Sequence, residues 1–195
     1  MANLGSRIMS RHESYISKDG AFNFIYRPKG SRFEVLRYRR LDYTEQNVSF
    51  LCDAIIDHLT PDLISHQVRR AYPACHPAWK RELFGYCVPA SFALLYFLDT
   101  DALVTFRGVD AGGEGHWWLA DRDNGRRYDI TGCQYTEAER NGVYASGRPR
   151  GYYGRGEAPA ARFLRLMSRV QQDAELFETD RTGLFGLARW PKGCI

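Results

Sequence analysis

The sequence predicts an α+β fold in which a helix opening on a cysteine lies against an antiparallel sheet. Three observations carry this. Val88 to Leu98 is a nearly unbroken apolar run of helical length, introduced by Gly85-Tyr86-Cys87. Residues 103–131 fall into three short strand-like runs divided by Gly-, Asp- and Asn-rich turns. Helical periodicity recurs on both sides, over 45–71 and 160–172. A chain of 195 residues, 44% apolar and 14% aromatic, suits one domain with a sizeable core, and no internal repeat or separable second domain is visible.

In chain order, residues 1–20 are polar and mixed and read as a terminus. Phe22, Phe24 and Tyr26 alternate, Pro28-Lys29-Gly30-Ser31 is a turn signal, and Phe33 to Tyr38 continues as a second strand, giving a hairpin over 21–40. That hairpin carries Arg27, Lys29, Arg32, Arg37, Arg39 and Arg40 against Glu34. Its basic residues alternate with aromatics, a pattern able to hold single-stranded nucleic acid, although one solvated face is the commoner reason for it. Val48, Leu51, Cys52, Ile55, Ile56 and Leu59 fall at helical spacing. Thr60-Pro61-Asp62 reads as an N-cap with proline at the first helical position, opening a second helix from Leu63 to Arg70. His58 and His66 lie in these helices without ligand-spaced companions, and Cys75-His76 lacks further clustered donors, so metal binding is not expected.

Trp79 to Phe84 is a short approach that Gly85 breaks. Cys87 then stands in the first turn of the helix ending at Leu98, with Ala90, Ala93, Leu94 and Phe97 on its apolar face. Pro89 is tolerated there because the first turn has no intrahelical N–H bond to lose. Strands follow at 103–109, 116–120 and 126–131. Thr136 to Glu139 is a capping box, 141–156 a Gly-, Arg- and Tyr-rich loop, and 160–172 an amphipathic helix with Phe163, Leu164, Met167 and Val170 inward. Residues 173–195 are weakly patterned.

The five cysteines, Cys52, Cys75, Cys87, Cys133 and Cys194, show no paired spacing. The first residues lack a signal-peptide apolar region, and the longest apolar run is too short to span a bilayer. Free thiols, a cytoplasmic setting and no membrane partner are therefore expected. The formal charge is +4, built from 23 Arg and only 4 Lys. Arginine suits bidentate contact with carboxylate or phosphate, and genomic base composition is the plainer source of the bias.

Only Cys87 among the cysteines has a setting that activates it. Helix N-termini gather partial positive charge from unpaired N–H groups, which favours a thiolate and can also stabilise an oxyanion. A nucleophilic cysteine needs a base, and the base needs an orienting group. His116 opens a strand after Gly112-Gly113-Glu114-Gly115, and Asp129 lies in the next strand. A loop centred on Arg122-Asp123 sets 116 directly opposite 129. A tight turn at Asn124-Gly125, the stronger local signal, keeps them on one face but several positions apart. A Cys-His-Asp pairing therefore calls for a loop wider than that dipeptide, or for a bulge. Asp121, Asp123 and Asn124 superficially resemble a calcium cluster, but no following glutamate completes one and a hairpin turn is the better reading.

Gly85-x-Cys87 opening an Ala-containing helix, His116-Trp117-Trp118 and Asp129-x-Thr131 resemble the three motifs of the transglutaminase-like cysteine core within the broad papain-like group. With Gln134-Tyr135 the run is also similar to small uncharacterised bacterial and phage proteins of that type. The resemblance spans about residues 85–170 and implies Cys87 as nucleophile, His116 as general base and acid, and Asp129 as orienting carboxylate. It implies no cofactor, and a protein, peptide or small amide as substrate. No glutamine stands about six residues before Cys87, where Trp79 and Arg81 occur, so Tyr86, Trp118 and Gln134 are the candidates for substrate or oxyanion contact. We therefore read 1–195 as one domain, with 1–44 as a basic hairpin extension and 85–172 as the catalytic core. The expected activity is cysteine-dependent acyl transfer or amide hydrolysis. The alternative is a non-catalytic nucleic-acid- or protein-binding module, motivated by the basic hairpin and by Arg148, Arg150 and Arg155 among the tyrosines of the 148–155 segment. Oligomeric state is not legible.

Overall fold

The computed structural model describes residues 14–16, 22–29, 32–64, 82–98, 100–150 and 161–179. The expectations for Cys75, Cys194, His66, His76, Arg155 and most of the 63–70 helix lie outside these residues. The architecture combines helices with two antiparallel sheets, as an α+β chain should. β1 (Ser14–Ile16), β2 (Phe22–Lys29) and β3 (Arg32–Arg39) form the first sheet in that order. The expected hairpin is present, its register closing with Lys29 opposite Arg32. The short β1, which falls in the stretch read as a terminus, pairs along β2 from Ser14 opposite Ile25 to Ile16 opposite Asn23.

α1 (Glu45–Asp57) begins where the Thr44 hydroxyl accepts a hydrogen bond from the Asn47 N–H at 3.2 Å. It buries Val48, Leu51, Cys52, Ala54 and Ile55. Pro61 to Leu63 then make a 3₁₀ turn, with Thr60 at its N-cap, where the sequence reads as the start of a longer helix. α2 (Cys87–Leu98) buries more than the one face expected of its apolar run, ten of its twelve residues. α1 lies along one side of it, α4 (Ala161–Thr179) along another and the second sheet along a third, so no side is left for water. Tyr38 from β3 meets the same helix edge-on at Phe97, with ring centroids 5.6 Å apart.

The second sheet has the order β6-β5-β4-β7. β4 (Leu103–Val109) pairs with β5 (Gly115–Asp121), setting Gly108 opposite His116 and Phe106 opposite Trp118. β6 is only Arg127–Tyr128, shorter than the expected 126–131 strand. The chain leaves the ladder at Asp129, whose carbonyl accepts from the Gly132 N–H at 3.1 Å, and a 3₁₀ turn over Gly132–Gln134 follows. α3 (Glu137–Ser146) starts at the Thr136–Glu139 capping box, with both reciprocal bonds present. Its second half, 141–146, takes up the start of the stretch read as a loop, and β7 (Arg148–Arg150) then adds to the free edge of β4. Pro149 is tolerated there because an edge strand needs no outward N–H. α4 runs past its expected end and buries the four residues assigned inward, together with Leu166, Gln171 and Ala174.

The α4 arginines have a structural task. Arg165 and Arg169 both reach Asp62, with nitrogen–oxygen distances of 3.1 and 3.0 Å. Hydrogen bonds from Thr60 and Arg169 hold the Asp62 carboxyl down at about 2. His58 pairs with Asp173 across 2.9 Å, as a packing histidine would. No helix among the described residues is long and apolar enough to cross a membrane.

Candidate active site

The loop that joins β5 to β6 decides whether His116 and Asp129 meet. Leu119 pairs with Tyr128 and Ala120 with Arg127, and the Asp121 N–H donates to the Arg126 carbonyl at 2.8 Å. The connection is thus the four residues 122–125, centred between Asp123 and Asn124, midway between an Asn124-Gly125 turn and a loop centred on Arg122-Asp123. Extending the register by one residue puts Asp129 beside Trp118, with His116 two positions further along the same face. The imidazole spans that diagonal, and its Nε2 lies 2.7 Å from Asp129 Oδ2. Asp121 shapes the loop. Its Oδ1 accepts from the Asp123 and Asn124 N–H groups, and Gly125 takes a positive φ of 71°.

Cys87 is the first residue of α2. Gly85 takes φ of 85°, which turns the chain into the helix at no steric cost. The Tyr86 carbonyl accepts the first helical bond, from the Ala90 N–H at 2.9 Å. The Cys87 N–H consequently stands in the first turn, where a helix supplies no acceptor. Tyr86 is buried as the helix cap. The Cys87 side chain lies close enough to the His116 ring to help raise its pKa and is only 7% exposed.

His116 is 1% exposed and held on every side. Trp118 stacks on it at 6.1 Å and 23°, and Tyr135 meets it edge-on at 4.9 Å. Trp117, on the other face of β5, joins the main core and touches Phe92 instead. Since a carboxylate only accepts, Asp129 fixes a proton on Nε2. Gln134 Nε2 lies 3.4 Å from Nδ1 and donates to the Thr131 carbonyl at 2.9 Å. Burial alone pushes the imidazole down. The charge and hydrogen bond of Asp129, with the contact to Cys87, outweigh it and lift His116 to about 10.

Tyr135 of the Gln134-Tyr135 motif and three residues not anticipated in the sequence complete the arrangement. The Tyr144 hydroxyl donates to Asp129 Oδ2 at 3.0 Å, and its ring packs on Trp118 at 4.9 Å. Gly132 lies flat against the Asp129 carboxylate. Asp110 Oδ1 accepts from the Gly112 and Glu114 N–H groups at 2.9 Å each, shaping the glycine-rich loop that delivers His116. Tyr135 donates to the other Asp110 oxygen at 3.5 Å. A tyrosine eight residues beyond a capping residue carries no signal of its own. Gly132, three residues after a motif aspartate, was the legible one. Arg148 and Arg150 are exposed on β7, at the sheet edge opposite β6 and apart from this cluster. The Thr105 hydroxyl donates to the Arg150 carbonyl.

Behind Asp129, between α3 and the end of the β5–β6 hairpin, is a cavity of about 570 Å³. Among the described residues no group of three His, Cys, Asp or Glu side chains is placed to hold a metal ion. No family model, curated protein or solved structure matches the chain.

Proposed function

We propose that the protein is a cysteine-dependent acyl-transfer enzyme, acting on an amide as a hydrolase or transamidase, on a core of the transglutaminase-like or papain-like kind. The observation that supports this most is the buried line from Asp129 through His116 to the Cys87 side chain. In this reading His116 holds the proton that comes from the thiol, and the sulfur attacks a carbonyl carbon. Two donors flank the position of the resulting oxyanion, the Cys87 N–H and the Gln134 amide. The leaving amine takes the proton from His116, and a thioester remains. Water or a second amine, deprotonated by the same imidazole, completes hydrolysis or transamidation.

Labelling with iodoacetamide at neutral pH tests the reading. Selective alkylation of Cys87, lost in His116→Ala, is expected. Labelling of all accessible cysteines at one rate, indifferent to His116, overturns it. The binding-module alternative rests on exposed Arg148 and Arg150, and salt-dependent retention of single-stranded nucleic acid by a Cys87→Ala variant would favour it.

A further inference from the structure

Tyr144 touches the buried His116–Asp129 pair and also lines the cavity behind it, and the acyl-transfer reading gives it no task. Close backbone approach brings it there. A Cβ at Gly108, the residue opposite His116 in the sheet, would fall 2.3 Å from the Val143 carbonyl oxygen. One at Gly147 would fall 2.6 Å from the Trp118 ring. The Val109 N–H donates to the Ser146 hydroxyl at 2.8 Å and ties the end of α3 to the same strand. The Tyr144 ring packs on Trp118 at 4.9 Å, and the Arg127 guanidinium stands 4.7 Å over it. Its hydroxyl donates to Asp129 Oδ2 at 3.0 Å, the oxygen that also accepts from His116 at 2.7 Å. Asp129 Oδ1 is buried and has no hydrogen-bond partner among the described residues. Both side-chain donors therefore meet one oxygen, and the other does nothing to fix the carboxylate's rotation. Burial, with the charge of Asp129, pushes the Tyr144 hydroxyl above its ordinary value, so it keeps its proton and remains a donor.

We propose that Tyr144 is a positioning residue of the acyl-transfer site, whose hydroxyl holds the Asp129 carboxylate with Oδ2 toward His116. The hold on Asp129 stands on geometry alone; its consequence at Cys87 rests on the acyl-transfer reading. Losing the hydroxyl has two opposed effects. Its proton draws charge from Oδ2, so a carboxylate that stayed in place would grip the imidazolium harder and raise His116 further. A carboxylate free to turn grips the imidazolium less and lets His116 fall. With Oδ1 unengaged, turning is the effect that decides. The other titratable and charged groups near the pair are Cys87 at the head of α2, Tyr135 and through it Asp110, and Arg127 and Arg140 acting on Tyr144. None of these is changed when the hydroxyl alone is removed.

The test compares the full chain with Tyr144→Phe, which keeps the ring and removes the hydroxyl. Proton NMR follows the His116 imidazole from about pH 6 to 11, its signal assigned by its loss in His116→Ala. The titration midpoint should fall by about one pH unit, and Cys87 alkylation at neutral pH should slow about tenfold. In an Asp129→Ala background, Tyr144→Phe should change the alkylation rate by less than about twofold, because the hydroxyl acts through the carboxylate. A role in packing alone lowers stability in urea and leaves the midpoint where it was. An unchanged midpoint therefore overturns the proposal. A raised midpoint does so as well, since the carboxylate then keeps its place without the hydroxyl. Full additivity of the two substitutions also overturns it. If the parent protein shows no selective labelling of Cys87, the acyl-transfer reading falls, while the midpoint still decides whether Tyr144 positions Asp129.

Discussion

A methyl group at Gly132 should disable the His116–Asp129 pair without touching either residue. A Cβ built at Gly132 falls 2.7 Å from Asp129 Oδ2 and 2.8 Å from its Cγ. Ordinary contact begins at 3.4 Å, so the carboxylate or the turn must retreat by about 0.7 Å. The carboxylate has little freedom to do so, because the same Oδ2 accepts from His116 at 2.7 Å and from Tyr144 at 3.0 Å. Hydrogen bonds to a charged group contribute about 1.5–3 kcal/mol, and one or both must stretch. Misplacement of catalytic groups by about 1 Å costs on the order of a hundredfold in rate. We therefore expect Gly132→Ala to slow Cys87 alkylation at neutral pH by about ten- to a hundredfold and to lower stability by about 1–3 kcal/mol. Second-order alkylation rates and urea unfolding of the same preparation measure the two effects. Wild-type labelling with wild-type stability would refute the packing of Asp129 on Gly132 and the role given to it.

Gly142 is the natural control: nothing lies within 4 Å of its Cβ position inside α3, so Gly142→Ala should raise stability by about 0.5–1 kcal/mol in urea unfolding and leave labelling unchanged. Trp118→Ala should cost about 3–5 kcal/mol by the same assay, since Trp118 fills the space between Phe106, His116 and Tyr144. The His116 imidazole is raised in the folded state, so its contribution to stability is complete below the unfolded value near 6.5 and is lost as pH rises through about 10. Thermal melts from pH 6 to 11 should therefore fall over that window, and the fall should flatten in Asp129→Asn; equal slopes in both proteins would count against the pairing.

The elements with their own local chemistry were legible in the sequence. The capping box at Thr136 and the glycine before Cys87 appear where expected, because hydrogen bonding and backbone sterics within a few residues specify them. What depended on distant partners was not. α2 is buried all round because three elements enclose it, which its own periodicity does not show. β7 forms because β4 offers a free edge to Arg148–Arg150, although local composition there favours a loop.

The candidate site divides along the same line. Cys87, His116 and Asp129 were named from motif and position, whereas their meeting turned on one loop, and local preference misjudged its length. Asn124-Gly125 invites a two-residue turn. Asp121 instead uses its carboxylate to receive the Asp123 and Asn124 N–H groups, and the Tyr43 hydroxyl, 2.6 Å from Asp121 Oδ2, anchors that carboxylate from outside the hairpin. A tyrosine 78 residues upstream thus helps to set the register that carries Asp129 to His116. Had the dipeptide set the turn, Asp129 would have paired two positions further from His116, beyond the reach of an imidazole. The motif residues alone therefore do not account for the His116–Asp129 geometry: the loop between their strands is also held by the Tyr43–Asp121 contact, which no motif contains.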